Sequence, residues 1–304
     1  MTVSDVIALP TGRKGWAVAC MVASAACWGV ATAMTKGALD QLPPLALLTA
    51  QLGASIALLW TAVLVGRLPL VVNRDARLAA LGGLLEPGMA YALGIAGLAL
   101  TSASSASLIG TTEPLLVVAL AFALFRVRTG WRQLAAIMVA VAGIALVGEA
   151  DAESLRGGLA GNGLVVLATV FAALYVVTTS RLAVAAAPVL LAALQQTVGF
   201  LFVGVLLLAA LASGFEEIEA APTLPGWLLI AGSGIVQYAL AFWFYLTALR
   251  HLAVGTAALF LALIPVFGIG AATTLLGEAL SFGQAVGCVL IVGAVAAVAG
   301  RSRP

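Results

Sequence analysis

The sequence predicts an all-α integral membrane protein of ten transmembrane helices, arranged as two inverted five-helix repeats with both termini cytoplasmic. Three observations carry this. Of 304 residues, 63% are hydrophobic and 9% are charged, against about 25% charged in an ordinary soluble domain. The apolar residues fall into ten runs, each close to the ~20 residues that a bilayer-crossing helix needs. The second half of the chain also repeats features of the first at an offset of 151 residues.

Taken in order, each run is bounded by charge. The first, 16–36, follows Arg13-Lys14 and is longer than the apolar core of a signal peptide, so it reads as a retained helix. Run 43–65 lies between Asp40 and Arg67. Run 77–98 follows Arg74 and includes Arg77 at its start. Run 102–125 ends at Arg126 and Arg128, and run 131–148 carries Arg132 at its start and ends at Glu149. Asp151, Glu153 and Arg156 separate it from run 158–180, which stops at Arg181. Run 188–212 precedes Glu216, Glu217 and Glu219; run 226–249 stops at Arg250; runs 254–276 and 281–299 flank Glu278, and Arg301 and Arg303 follow. With the N-terminus inside, all basic residues except Lys36 and Arg156 fall on the cytoplasmic side, as the positive-inside rule requires. The acids of the connections mostly face outward, and nine or eleven crossings would scramble the alternation.

The offset of 151 aligns 91–148 with 242–299 without a gap, pairing Pro114 with Pro265, Trp131 with Phe282 and Gln133 with Gln284. Upstream the offset is 145, pairing Lys36 with Arg181, Pro43 with Pro188 and Gln51 with Gln196. The difference is absorbed around 214–225. Five helices per repeat is an odd number, so the halves must lie upside down relative to each other. The implied division is a cytoplasmic segment 1–15, a first repeat 16–148, a periplasmic linker 149–157, a second repeat 158–299 and a cytoplasmic tail 300–304. Proline-interrupted hydrophobic segments at matching places in two halves point to a transporter's substrate site near the bilayer midplane. Pro114 and Pro265 meet that description. With Pro87, they are expected to kink their helices and to serve as hinges for gating.

Trp28-Gly29 in the first run, Glu113-Pro114 in the fourth and Leu276-Gly277-Glu278 after the ninth resemble the EamA family of the drug/metabolite transporter superfamily. The resemblance covers nearly the whole chain. Gly277-Glu278 matches the family's signature in the second half, whereas the equivalent place in the first half holds Arg126-Val127. The resemblance implies export or exchange of small metabolites through a central cavity lined by helices one, three, four, six, eight and nine. Among members, the bacterial exporters of amino acids, aromatic ones included, fit best. It also implies a multi-pass protein of the inner membrane.

Helical spacing sorts the polar residues, because side chains three or four apart share a face. Ser24, Trp28, Thr32 and Thr35 form one stripe of the first helix, with Trp28 at a depth where tryptophan is unusual. Glu86 and Glu113 are the two acids within apolar segments, where a carboxylate normally faces a bundle interior or a water-filled cavity. Two roles follow, binding a substrate amine or carrying a coupled proton, beside the structural one of satisfying backbone groups freed at a kink. On helix six Tyr175 shares its face with Ala168, Thr178 and Thr179. On helix eight Gln237, Tyr238 and Tyr245 combine rings with hydrogen-bonding tips, and Trp243 points away toward lipid. Gln51, Gln195 and Gln196 read as interhelical links. The substrate-binding set is therefore Ser24, Trp28, Thr32, Glu86, Glu113, Tyr175, Gln237, Tyr238 and Tyr245.

Other classes fare worse. A membrane-embedded enzyme needs a catalytic constellation at depth, and one histidine with two buried acids supplies none; no metal or cofactor motif is present. Cys20, Cys27 and Cys288 lie in apolar runs as packing residues. A phosphorylated substrate needs deep lysine or arginine, for which Lys36 alone is a weak candidate. A channel-like pore or a carrier for another metabolite or drug is the alternative. The expected partners are a small-molecule substrate and the lipid bilayer, with no nucleic acid, and a monomer encloses a complete cavity.

Overall fold

The computed structural model describes residues 11–70, 73–101, 109–148, 158–275 and 280–299. Every element within them is helical. In order these are α1 (Thr11–Ala38), α2 (Pro44–Val65), α3 (Arg74–Ala80), α4 (Ala90–Leu100), α5 (Glu113–Phe125), α6 (Trp131–Val147) and α7 (Leu159–Leu182). The second half continues with α8 (Pro188–Ser213), α9 (Leu224–Gly234), α10 (Ala241–Leu249), α11 (Val254–Leu261), α12 (Ile264–Leu275) and α13 (Phe282–Ala299). Leu84–Met89 joins α3 to α4, and a π-helical turn at Ile235–Leu240 joins α9 to α10. Counting α3–α4, α9–α10 and α11–α12 as one rod each, eight rods among the described residues are long and apolar enough to cross a membrane. The other two apolar helices, α5 and α6, are shorter. The run expected at 102–125 is described only from residue 109. The Leu276-Gly277-Glu278 signature, the linker 149–157 and the tail 300–304 lie outside the described residues.

Pro114 and Pro265 each stand just past a break in the regular helix. The regular α-helical pairing gives way to tighter turns at Thr111-Thr112 and again at Ala262-Leu263, and regular helix resumes at Glu113 and Ile264. Pro114 and Pro265 are thus the second residues of fresh helices, where a missing N–H costs nothing because no partner was available to it. Pro87 behaves otherwise. Glu86 before it is extended, with φ −146° and ψ 123°, and the Glu86–Pro87 peptide is cis. The π turn at Ile235–Leu240 contains no proline, so no residue type announces it. Its place follows the repeat all the same: it lies 151 positions after Leu84–Met89, and Ala262-Leu263 lies 151 positions after Thr111-Thr112.

Packing follows the same correspondence. α1 lies against α9–α10 and α12, just as α7 lies against α3–α4 and α5. α2 packs on α8, and α6 packs on α13. The closest approaches use glycine. A Cβ on Gly234 would overlap the carbonyl oxygen of Gln51 in α2, and a Cβ on Gly83 would overlap that of Gln195 in α8. Gly199 of α8 leaves room for the Pro87 ring. Backbone meets backbone in these places, as small residues permit in membranes.

One long-range cap fixes the α2 end of the bundle. Pro43 precedes α2 and offers no side-chain acceptor to its free N–H groups. The carboxylate of Glu216, in the connection after α8, accepts from the Leu45 N–H at 2.7 Å and the Ala46 N–H at 3.2 Å. It is 7% exposed, and an acid at a helix N-terminus also complements the dipole. Glu216→Ala is expected to cost about 1–2 kcal/mol, seen as a fall of several degrees in the thermal midpoint of the detergent-solubilised protein. An unchanged midpoint would reject the cap.

Candidate functional site

Where the interrupted helices face each other they leave a cavity of about 250 Å³. Each interruption delivers a side chain to it: Glu86 from the extended break, Gln237 from the π turn, Glu113 and Ile264 from the two helix starts. Trp28 and Thr32 of α1, Tyr91 of α4, Tyr175 of α7 and Tyr245 of α10 complete the wall. These residues come from the six runs that the family resemblance assigns to a central cavity.

The chain has four tyrosines, and all four gather here. Trp28 meets Phe242 edge-on at 5.1 Å and Tyr245 at 5.6 Å between ring centres. Tyr175 stacks on Tyr245 at 6.2 Å and contacts Phe242 at 5.8 Å. Tyr91 meets Tyr238 at 5.5 Å. Offset and edge-to-face pairs of this kind add to the burial energy of each ring. Gly29 shows why tryptophan is followed by glycine: its missing Cβ lets α1 touch the backbone of Ile264 and Gly268 at the start of α12. Trp28 thus faces the cavity while the next residue clamps the second half.

Behind the wall runs a polar network. Gln51 Nε2 donates to Thr35 Oγ1 at 3.0 Å and to Ser233 Oγ at 2.8 Å. Thr35 Oγ1 donates to Gln237 Oε1 at 2.8 Å, and Gln237 Nε2 donates to the Tyr238 hydroxyl at 3.2 Å. The chain of bonds ties α1, α2 and the π turn together and orients Gln237. On the opposite side Tyr175 donates to Gln195 Oε1 at 3.0 Å, and Gln195 Nε2 donates to the Ala79 carbonyl at 2.9 Å. Gln51 and Gln195 are therefore interhelical links; Gln196 is buried, but its amide makes no hydrogen bond.

The structure brings together Trp28, Thr32, Glu86, Glu113, Tyr175, Gln237 and Tyr245. Ser24 is elsewhere, fully buried, with its hydroxyl donating to the Ala241 carbonyl at 2.8 Å. Tyr238 stands one layer back, supporting Tyr91 and Gln237. Of the proposed hinges, Pro114 and Pro265 line one smaller cavity of about 150 Å³ with Glu113, whereas Pro87 packs against α8. Tyr91 is the residue that helical spacing missed. Its position 151 before Phe242 was the available signal, since the repeat places both in one cluster.

A further cavity of about 280 Å³ shares Glu86, Tyr91 and Glu113 and continues along α4 and α7 past Ala90, Gly94 and Ala168. The three cavities meet at Glu113. Two tyrosines make opposite predictions. Removing the Tyr175 hydroxyl strands the Gln195 carbonyl, so Tyr175→Phe is expected to lose about 1–2 kcal/mol of stability. The Tyr245 hydroxyl is buried without a hydrogen-bond partner, so Tyr245→Phe is expected to keep the thermal midpoint and weaken substrate binding ~10-fold. A matched pair of melting curves and binding isotherms checks both; equal melting losses would reject the distinction.

Comparison with known proteins gives the family and the fold. The EamA-like transporter family matches residues 15–148 and 159–300. The uncharacterized transporter YetK of Bacillus subtilis (strain 168) is 23% identical over 202 residues, covering 66% of this chain and 60% of that protein. A crystal structure sharing 20% identity superposes with a TM-score of 0.80 over 95% of this chain and 99% of its own, a likeness of fold. With both halves matched, the chain belongs to the EamA-like transporter family.

Proposed function

We propose that this protein is a secondary transporter that exports or exchanges small metabolites, amino acids with aromatic ones among them, across the bacterial inner membrane. Two inverted five-helix repeats enclose the substrate and expose it to each side in turn. α5 and α6 count as the fourth and fifth of ten crossings, and both termini are cytoplasmic. A single protomer contains the whole site.

One observation carries the reading. Four helix interruptions fall in two pairs exactly one repeat length apart, and all four point a side chain into the same cavity. Broken helices at the interface of two repeats are how membrane carriers build midplane sites, because irregular backbone is tolerated there only where it lines a cavity. The cavity is at the small end of ligand pockets, which run from ~300 Å³ upward, and it suits a small solute. Its aromatic wall accepts a ring, while Glu86 and Glu113 accept an amine.

The test is uptake by purified protein in liposomes against a panel of labelled amino acids. Saturation, competition and acceleration by substrate on the opposite side are expected. Flux that rises without saturating would make the protein a pore, and no flux for any small solute would remove the proposal.

A further inference from the structure

Charge is distributed one-sidedly around the cavity. Glu86 and Glu113 both belong to the first half, and the positions 151 residues later are neutral, Gln237 and Ile264. None of the described residues lining the three connected cavities is lysine, arginine or histidine. An amino acid entering this site would bring its own carboxylate beside two carboxyl groups with no cation to pair it. An unpaired charge taken out of water is expensive.

A helix N-terminus could in principle replace the missing cation, and two helices begin at the cavity. Both have part of their donor set already used. α5 begins with Glu113 itself, so an acid already occupies its positive end. The amides of Leu115 and Leu116 both donate to the Thr112 carbonyl, and Pro114 has no N–H. At α12, Pro265 lacks a donor, and the Phe267 amide donates to the Leu263 carbonyl at 3.2 Å. A positively charged group, by contrast, finds two carboxyls and the rings of Trp28, Tyr175 and Tyr245 in the wall, and aromatic rings attract cations through their quadrupoles.

Building on the transporter reading above, we propose that the cavity selects small organic amines with a net positive charge, an aromatic or alkyl body and no free carboxylate, over the zwitterionic amino acids with the same side chain. The carboxyls hold the ammonium, Gln237 offers a neutral hydrogen-bonding group opposite them, and the rings take the apolar body. Masking or removing the substrate carboxylate improves binding.

The experiment is equilibrium binding to the purified full-length protein of three probes with the same ring. These are phenylalanine, phenylalanine amide and trimethyl(2-phenylethyl)ammonium, the last permanently charged so that membrane leak of a neutral amine cannot confuse matched liposome uptake. The two cations are expected to bind ~10-fold or more tightly than phenylalanine, equivalent to about 1.4 kcal/mol. In the Glu86→Gln, Glu113→Gln double variant that preference is expected to shrink below ~3-fold. The wild-type comparison decides by itself should the variant fail to fold. Phenylalanine binding as tightly as its amide, together with saturable phenylalanine uptake, would overturn this selectivity and leave the transporter standing. No saturable uptake of any probe or amino acid would overturn both.

Discussion

Gly83→Ala and Gly234→Ala are each expected to remove the folded protein from the membrane. Both glycines have ordinary helical backbone angles, φ −61° at Gly83 and φ −60° at Gly234, so alanine is not strained there. The obstacle is space. The added methyl would coincide with the Gln195 carbonyl in one case and the Gln51 carbonyl in the other, and backbone cannot swing aside as a side chain can. Overpacking of a core costs about 1–3 kcal/mol and at times more, and these two contacts sit where α8 and α2 brace the helix interruptions. A loss of ~3 kcal/mol or more is expected, read as near absence of monodisperse protein after solubilisation. Gly204→Ala in α8 is the control: nothing lies within 4 Å of its Cβ, and alanine there is expected to be neutral or to stabilise by ~0.5–1 kcal/mol. Gly83→Ala protein that purifies and melts like the control would show that the two backbones are not in contact.

The largest effect on transport is expected from the double substitution Glu86→Gln, Glu113→Gln. Glutamine keeps the shape of glutamate and removes its charge. Membrane abundance and thermal midpoint are expected to hold, while saturable uptake in liposomes falls ~100-fold or more, since each charged contact to a substrate is worth about 1.5–3 kcal/mol. Single variants are expected to fall between. Because Glu113 lies where all three cavities meet, its single variant is expected to be the weaker transporter of the two. Full activity in the double variant would dismiss both carboxyls from the site.

Much of this was readable from residues alone, and most of the failures gather at the helix interruptions. Charge at the ends of apolar runs placed the helices, because each basic residue must remain in water. The cost of a buried acid singled out Glu86 and Glu113, and both line the cavity. Trp28, Tyr175 and Tyr245 followed from helical spacing, since α1, α7 and α10 are regular where they carry them. That spacing fails across an interruption. Tyr91 lies five residues beyond Glu86, which is itself extended and sits in a widened turn, so no regular wheel puts the two on one face. Tyr238, inside the π turn, is displaced to the second layer. Ser24 shares the stripe of Trp28, but one turn away that stripe has already passed from the cavity to the contact with α10. The prolines marked the right places, because the helix ladder is interrupted where each missing N–H falls.

The one-sided placement of acid has a mechanical corollary. A perfectly symmetric pair of halves would present four carboxyls or none, and a solute would rest on the axis between them. Here both acids belong to the N-terminal half, while the C-terminal half supplies the Gln237 amide, the Tyr175 and Tyr245 rings and a hydrocarbon surface. If the halves rock as proposed above, the cargo stays with its acidic anchor when they part on one side of the membrane. The opposite half then slides past like a cover, so the resistance to release is set by one wall of the chamber.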